Sequence, residues 1–149
     1  MKYVFARGGD NNSVIYEDEF GNKYSWIGGT RAWRNNNPGN IRAGDFASRH
    51  GSVGTAGGFA VFPDYDHGFS ALVALLQTTT YKKLSIEQAI NRYAPPIEND
   101  TDVYIASVEK QIGVTRNTIM SELSDETLHK LAKAIEKHEG YRQGTIQKN

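Results

Sequence analysis

Glycine and asparagine are concentrated in the first half of this chain, which limits how much regular structure that half can form. Most of the fifteen glycines lie there, from GGTRAWRNNNPGNIRAGDF to GSVGTAGGFAVFP. These residue types favour turns and left-handed backbone conformations. We therefore expect an irregular, ordered loop region over residues 31–63, with one short strand at FAVF, residues 59–62.

The segment before that loop region predicts a β-hairpin. In SVIYEDEFGNKYSWIGG, residues 13–29, β-forming residues flank the charged turn EDEFGN. Gly21 can supply the positive φ angle that a tight turn requires. We assign residues 1–30 to this hairpin extension.

The second half predicts helices, because apolar residues recur at helical spacing between capping residues. The capping and stop signals are, in chain order, Asp64, Ser85 with Gln88, Pro95 and Pro96, Asn99 or Asp100, and Gly113. A short helix around NTIMSEL and a final helix DETLHKLAKAIEKHE follow. We expect five helices, mostly in residues 64–139, within a helical lobe of residues 64–149. The predicted fold class is α+β and predominantly helical, in a single domain of residues 1–149.

Charge and composition argue against several classes of function. Seventeen basic residues balance seventeen acidic ones, whereas nucleic-acid-binding domains carry a basic excess. Cysteine is absent, so a thiolate nucleophile and a cysteine metal site are impossible. The four histidines lack H-E-x-x-H spacing, and we expect neither a metal nor a cofactor. Because no signal peptide or apolar span is recognisable, we expect a soluble protein with no membrane partner, exported by a carrier or released by lysis.

Glu139, in the stretch AIEKHEGYRQG, is the candidate catalytic residue that the pattern indicates most directly. At about 100° per residue it lies within roughly 30° of the centre of the apolar stripe of the final helix. Partial burial and the negative end of the helix dipole both favour a protonated carboxyl there. Glycosidic cleavage requires such a group as general acid. The alternative is that the helix end frays, Glu139 reaches into water, and Gly140 is an ordinary cap.

The loop RAWRNNNPGNIR, residues 31–42, is a candidate substrate-binding segment. Its turn fits type II, with Gly39 at positive φ. Amide side chains suit the hydroxyl and N-acetyl groups of sugars, and an indole face suits a sugar ring. The candidate binding residues here are Trp33, Asn35, Asn36, Asn37 and Asn40. The alternative is that asparagine is frequent because turns need it.

A third stretch, NRYAPPIENDTDVYIASV, contains candidates for a second catalytic acid. Glu98 is favoured, because PPIEND is a proline-fixed loop that can hold a carboxylate against a groove. Asp100 is the other candidate, and Tyr93 and Tyr104 are candidate substrate contacts at helix edges. The alternative for both acids is that they cap the following helix.

Together, RNNNPGNIR, GGFAVFPDYDHGFSALVALL, RYAPPIENDTDVYIASV and AIEKHEGYRQG resemble a family of phage virion-associated and bacterial-toxin domains related to lysozyme-like peptidoglycan hydrolases. The resemblance covers roughly residues 28–146. The last motif also looks like the signature of lytic transglycosylases and goose-type lysozymes, whose helix ends at the catalytic glutamate. In that superfamily the glutamate helix precedes the asparagine-rich loop. Here the order is reversed, which we interpret as a circular permutation of a lysozyme-like fold.

The resemblance implies that the chain cleaves peptidoglycan glycan strands as a muramidase or a lytic transglycosylase, with Glu139 as general acid/base. No second acid stands at the spacing found in phage-type lysozymes, so both reactions stay open. The alternative function is a non-catalytic module that binds the cell wall or builds a virion. The resemblance also implies action on the bacterial cell wall, in the periplasm, after delivery by a secretion system, a phage particle or lysis. An immunity protein or inhibitor is an expected partner if the chain is a toxin.

Overall fold

The computed structural model describes residues 1–93 and 100–149. These residues form two compact units. The first consists of residues 1–72 together with 139–149, and the second of residues 73–138. The two ends of the chain therefore belong to the same unit.

A six-stranded sheet dominates the first unit. Its strands are β1 (Tyr3–Gly8), β2 (Ser13–Asp18), β3 (Lys23–Ile27), β4 (Gly54–Ala56), β5 (Phe59–Val61) and β6 (Thr145–Lys148). Their order across the sheet is β5-β4-β1-β2-β3-β6. Strands β1 and β4 pair in parallel, and the other neighbours are antiparallel. The predicted hairpin is confirmed as β2 and β3, with Gly21 at a φ of 84°, and the predicted short strand is β5.

This sheet corrects the predicted fold class. The expectation of a predominantly helical, lysozyme-like fold with a small β-hairpin is wrong, because the protein is a mixed α/β protein whose hairpin lies inside a six-stranded sheet. Strand β6 was missed because all four of its residues are exposed and show no apolar alternation. It forms along the edge of β3, with Trp26 opposite Ile146.

Several aromatic rings pack together on the buried face of the sheet. The rings of Tyr3 and Tyr16 stack with centroids 4.5 Å apart, and the Trp26 ring lies 5.0 Å from that of Tyr16. Full burial of a large apolar side chain contributes about 1.5–3 kcal/mol. Trp26 also lies 4.7 Å, between ring centroids, from Trp33. The sheet thereby holds the start of the asparagine-rich loop.

Short helices and the start of a longer one complete the first unit. They are α1 (Arg31–Arg34), α2 (Asp45–Arg49) and the first two turns of α3 (Tyr65–Leu76). Asp64 Oδ1 accepts a hydrogen bond from His67 N at 2.8 Å, which confirms the predicted cap of α3. A Cβ atom at Gly68 would collide with the carbonyl of Asn36, so glycine permits α3 to approach the loop closely.

The second unit is helical. Besides the rest of α3, it contains α4 (Thr79–Lys82), α5 (Ile86–Tyr93), α6 (Thr101–Ile112), a 3-10 helix (Met120–Glu122) and α7 (Asp125–Glu139) up to His138. Ser85 and Gln88 form the predicted capping box, and Gly113 ends α6 at a φ of 74°. The helix predicted around NTIMSEL is the 3-10 turn, and α4 was not predicted. Pro95, Pro96 and Asn99 lie outside the described residues.

Asp18 is a buried carboxylate that organises the hairpin turn. Its Oδ1 accepts hydrogen bonds from the backbone N–H groups of Phe20 and Asn22 at 2.9 Å each. Its Oδ2 accepts weaker bonds from the side chains of Asn22 and Tyr24. Burial alone would raise the pKa of Asp18, but these hydrogen bonds outweigh burial and hold the pKa below its usual 3.8.

We predict that Asp18→Asn lowers the melting temperature at neutral pH, because the turn stabilises the charged carboxylate. A carboxyl whose folded pKa is lowered contributes stability above its unfolded pKa and loses it as the pH falls through the folded pKa. The difference in Tm from the wild type should therefore shrink below about pH 3.8. Thermal unfolding at neutral and acidic pH measures this, with the exposed Asp10→Asn as control. A difference that is equal at both pH values would contradict the role of the charge.

Candidate functional site

Glu139 and Asn40 meet in the first unit, although 99 positions separate them in the chain. Asn40 Nδ2 donates a long hydrogen bond of 3.4 Å to Glu139 Oε2, and both side chains are half-buried. Glu139 is the last residue of α7, and Asn40 ends the asparagine-rich turn. Two of the four sequence motifs are thus brought into contact.

The segment that follows Glu139 is fixed against the start of α1. Thr30 N donates to Arg142 O at 2.9 Å, and Arg142 N donates to Thr30 Oγ1 at 3.0 Å. Gly140, at a φ of 91°, turns the chain out of α7 in a conformation that favours glycine. These contacts hold the end of α7 in the position that places Glu139 beside Asn40.

Three of the loop asparagines bond to the backbone of the protein itself. Asn35, Asn36 and Asn37 are buried. Their Nδ2 groups donate, respectively, to the carbonyls of Ala60, of Phe62, and of both Ile41 and Ala60. Asn36 Nδ2 also donates to the Tyr16 hydroxyl. The predicted binding residues of the loop therefore differ in kind, since these three amides hold the loop against the sheet and Asn40 contacts the candidate acid.

The turn in this loop differs from the predicted type II turn. Asn40 N donates to Asn37 O at 2.9 Å, so residues 37–40 do form a turn. Positive φ angles fall on Asn36 and Asn40, at 49° and 48°, and Gly39 does not adopt one. Asparagine tolerates the left-handed region better than most non-glycine residues. The left-handed residue at the end of the turn is thus the one that contacts Glu139.

Asn40 Oδ1 is a buried acceptor with no hydrogen-bond partner among the described residues. Buried amide oxygens normally accept at least one hydrogen bond. Because Nδ2 of the same side chain donates to Glu139, the free acceptor lies next to the carboxylate. Because the atom has almost no exposed surface, a bound molecule can donate to it only after neighbouring groups move.

A cavity of about 820 Å³ opens in the first unit. Five aromatic rings line it, from Tyr3, Trp26, Trp33, Tyr65 and Tyr141. Two predicted binding residues, Trp33 and Asn36, are among its lining residues, whereas Glu139 is not. Tyr141 links the cavity to the Glu139–Asn40 contact along the chain, because it lines the cavity and follows Glu139 by two residues. Tyr65 and Tyr141 were not predicted from the sequence as binding residues. Each is an aromatic residue within one of the four motifs, and that was the available indication.

A carboxylate–imidazole pair lines the same cavity. His67 Nδ1 lies 2.8 Å from Asp64 Oδ1, and both side chains are about half exposed. Burial alone would raise the pKa of Asp64, but hydrogen bonds from the backbone and the ring of His67 outweigh it and lower the pKa. The sequence identified Asp64 only as a helix cap. The structure shows that the cap is also a charged group at the cavity.

The remaining candidates lie elsewhere. Glu98 is outside the described residues. Tyr93, Asp100 and Tyr104 belong to the second unit, where Asp100 caps α6 by accepting from Val103 N at 3.4 Å. Tyr93 is the last residue of α5. Tyr104 is buried and stacks on the ring of His138, with centroids 3.5 Å apart.

Residues 1–93 and 100–149 contain no group of three or more His, Asp or Glu side chains placed to hold a metal ion. Within the same part of the chain, no helix is both long and apolar enough to cross a membrane.

We predict that Asn37→Ala destabilises the protein by roughly 2–3 kcal/mol, because it leaves buried backbone groups without partners. Its side chain donates to two carbonyls and accepts from Ile41 N at 2.9 Å. Denaturant unfolding measures the change. The exposed Asn117→Ala is the control and should stay within about 0.5 kcal/mol of the wild type. A loss below about 1 kcal/mol for Asn37→Ala would refute the structural role of this amide.

The chain is similar in sequence to a phage protein. No protein-family model matches the chain. Over 104 residues it is 38% identical to Protein P5 of Pseudoalteromonas phage PM2, a match that covers 65% of this chain and 62% of that protein. The chain therefore spans less than two thirds of the length of this relative. The similarity supports the phage-related part of the resemblance stated from the motifs, and it carries no indication of a lysozyme-like family.

Proposed function

We propose that this protein cleaves the glycan strands of peptidoglycan, with Glu139 as general acid/base. The observation that carries the proposal is the contact between Glu139 and Asn40, which joins a half-buried carboxyl to an amide with an unused acceptor. A proton donor must lie within hydrogen-bond reach of the glycosidic oxygen. A sugar that donates a hydroxyl or N-acetyl N–H to Asn40 Oδ1 is held next to that donor.

The proposed reaction begins with proton transfer from Glu139 to the glycosidic oxygen as the bond to the anomeric carbon breaks. Asn40 donates to Oε2, which leaves Oε1 to carry the proton. The carboxylate then accepts a proton from the group that attacks the anomeric carbon. In hydrolysis that group is water, and in lytic transglycosylation it is the 6-hydroxyl of the muramyl residue itself. The second route needs a single acid/base, whereas the first is helped by a second carboxylate, for which Glu98 and Asp100 stay predictions.

The aromatic cavity supplies the proposed binding surface for sugar rings. Tyr65 and Tyr141 meet edge to face, with centroids 5.5 Å apart and planes at 77°, so the two rings present differently oriented surfaces to the cavity. The apolar faces of pyranose rings pack on such side chains, while their hydroxyls reach polar groups at the rim. Asp64 and His67 are polar groups of this kind.

The similarity to a phage protein supports a phage-related setting for this activity. We propose that the protein reaches the cell wall in the periplasm with a phage particle, at lysis, or as a delivered antibacterial toxin. An immunity protein or inhibitor is a proposed partner in the last case.

The second candidate function is a glycan-binding module without catalysis. It is favoured by the position of the cavity, because Glu139 is not among the lining residues that would hold the sugar rings. The two functions share the cavity and differ in whether Glu139 is needed. Activity and binding of the same variant therefore separate them.

We predict that Glu139→Gln lowers the rate of peptidoglycan turbidity loss by about 100-fold or more, because glutamine keeps the shape but cannot give a proton. Sedimentation with insoluble peptidoglycan should show unchanged binding. The exposed Glu126→Gln on the same helix is the control and should keep the wild-type rate. Equal rates for wild type and Glu139→Gln would remove Glu139 from the chemistry. An inactive wild type that still binds would support the binding module. Mass spectrometry of the products assigns the reaction, since 1,6-anhydro ends indicate transglycosylation and reducing ends indicate hydrolysis.

We also predict that Tyr141→Ala and Tyr65→Ala each weaken the binding of neutral chitooligosaccharides by several-fold to about tenfold, because each removes a ring from the cavity. Isothermal titration calorimetry measures the change. Phe20→Ala is the matched control, since this ring is 78% exposed on the hairpin turn and lies outside the cavity. Wild-type affinity in both folded tyrosine variants would place the sugar elsewhere.

A further inference from the structure

Two arginines share one aromatic ring in the first unit. The guanidinium carbon of Arg31 lies 4.1 Å from the centroid of the Phe59 ring, and that of Arg42 lies 4.4 Å from the same centroid. Arg31 begins α1, Arg42 follows the asparagine-rich turn, and Phe59 begins β5. An isolated antiparallel bridge between Arg42 and Phe59 fixes the second contact. Because both guanidinium carbons lie near the same ring centroid, the distance between them is at most the sum of their two distances from it.

This arrangement concentrates positive charge at one place on a chain whose formal net charge is zero. Both arginines are exposed, and neither forms an ion pair with an acid among the described residues. Burial and the charge of Arg31 also lower the pKa of Arg34, whose guanidinium donates to the carbonyls of Gly28 and Gly29 at 3.0 Å each. Cation–π contact contributes only about 0.5–1 kcal/mol for an exposed pair. The protein thus keeps like charges together without an anion of its own.

Short stretches of backbone connect the arginine pair to residues that contact the segment 139–142. Arg42 follows by two residues the Asn40 that donates to Glu139. Arg31 directly follows Thr30, whose backbone N–H and hydroxyl oxygen pair with the backbone of Arg142. Both arginines are therefore anchored next to residues that contact the segment 139–142.

We propose that Arg31 and Arg42 bind a carboxylate of the peptide stem that peptidoglycan carries on its muramyl residues. The inference rests on the proposed function and extends it from the glycan to the stem. Guanidinium groups recognise carboxylates through paired, charge-assisted hydrogen bonds. The stem is attached to the same sugar whose glycosidic bond Glu139 would cleave. Arg42 and Arg31 stand within two residues of Asn40 and Thr30, which contact Glu139 and Arg142, so they are the cations we assign to the stem carboxylate.

The test compares a neutral ligand with a charged one. Chitotetraose lacks a carboxylate, whereas a muropeptide tetrasaccharide carries its stem peptides. Calorimetry with the Glu139→Gln variant of the whole 149-residue chain prevents cleavage during the measurement. In this background, Arg31→Gln and Arg42→Gln should each weaken muropeptide binding by about tenfold or more and leave chitotetraose binding unchanged. Arg7→Gln is the control, since Arg7 is exposed on β1 and its Nη1 donates to the neighbouring carbonyl of Gly8.

The neutral ligand also reports whether the variants fold. Muropeptide binding that is insensitive to both substitutions, with chitotetraose binding intact, would overturn the carboxylate site and leave the glycan function standing. If neither ligand binds the parent protein, the proposed function and the carboxylate site both fail. The preference for muropeptide over chitotetraose should also decrease as salt is raised, because the discriminating contact is ionic. A preference that does not change with salt would also overturn the proposal.

Discussion

The candidate site depends on hydrogen bonds from buried amide side chains to the backbone of strand β5 and of Phe62, which follows it. Asn35 and Asn37 both donate to the carbonyl of Ala60, and Asn36 donates to that of Phe62. A glycine- and asparagine-rich loop has little intrinsic structure, so the conformational entropy lost on ordering it must be offset by such contacts. With the loop fixed, the side chain of Asn40 has a defined position. Without these bonds, Asn40 would not be held in the position from which it donates to Glu139.

A second constraint brings Glu139 to that loop. The segment after it pairs with Thr30 and continues into β6, which lies along the edge of β3. The end of the chain is therefore an integral part of the sheet, and it returns the last residue of α7 to the unit that contains the loop. In this account the acid, the acceptor beside it, the aromatic cavity and the paired arginines all belong to one compact unit.

The local features of the fold could be predicted from the sequence, because they are encoded within a few residues. The hairpin, the cap at Asp64, the capping box at Ser85 and Gln88, and the end of α6 at Gly113 all follow from local chemistry. The sheet could not be predicted in the same way. Strand β6 is polar and exposed, and the parallel pairing of β1 with β4 joins distant segments. The resemblance of the motifs implied a helical lysozyme-like fold. It contained no information on which strands pair, so it could not indicate the sheet.

The candidate site could likewise be predicted only in part. Periodicity placed Glu139 on the apolar face of its helix, and the contact with Asn40 agrees with the expected proximity of the two motifs. The loop asparagines could not be sorted by sequence, because composition does not show which amides bond inward. Tyr65 and Tyr141 were missed for a related reason, since a cavity between distant segments exists only once the sheet has assembled.

A crystal structure of Glu139→Gln with a bound N-acetylated tetrasaccharide from peptidoglycan would show whether Glu139 lies at the bond to be cleaved. We expect a glycosidic oxygen within about 3.2 Å of the side chain at position 139. We also expect a sugar N–H or hydroxyl donating to Asn40 Oδ1 and sugar rings packed in the aromatic cavity. A ligand that binds on another surface, with no glycosidic oxygen near position 139, would contradict the proposed role of Glu139.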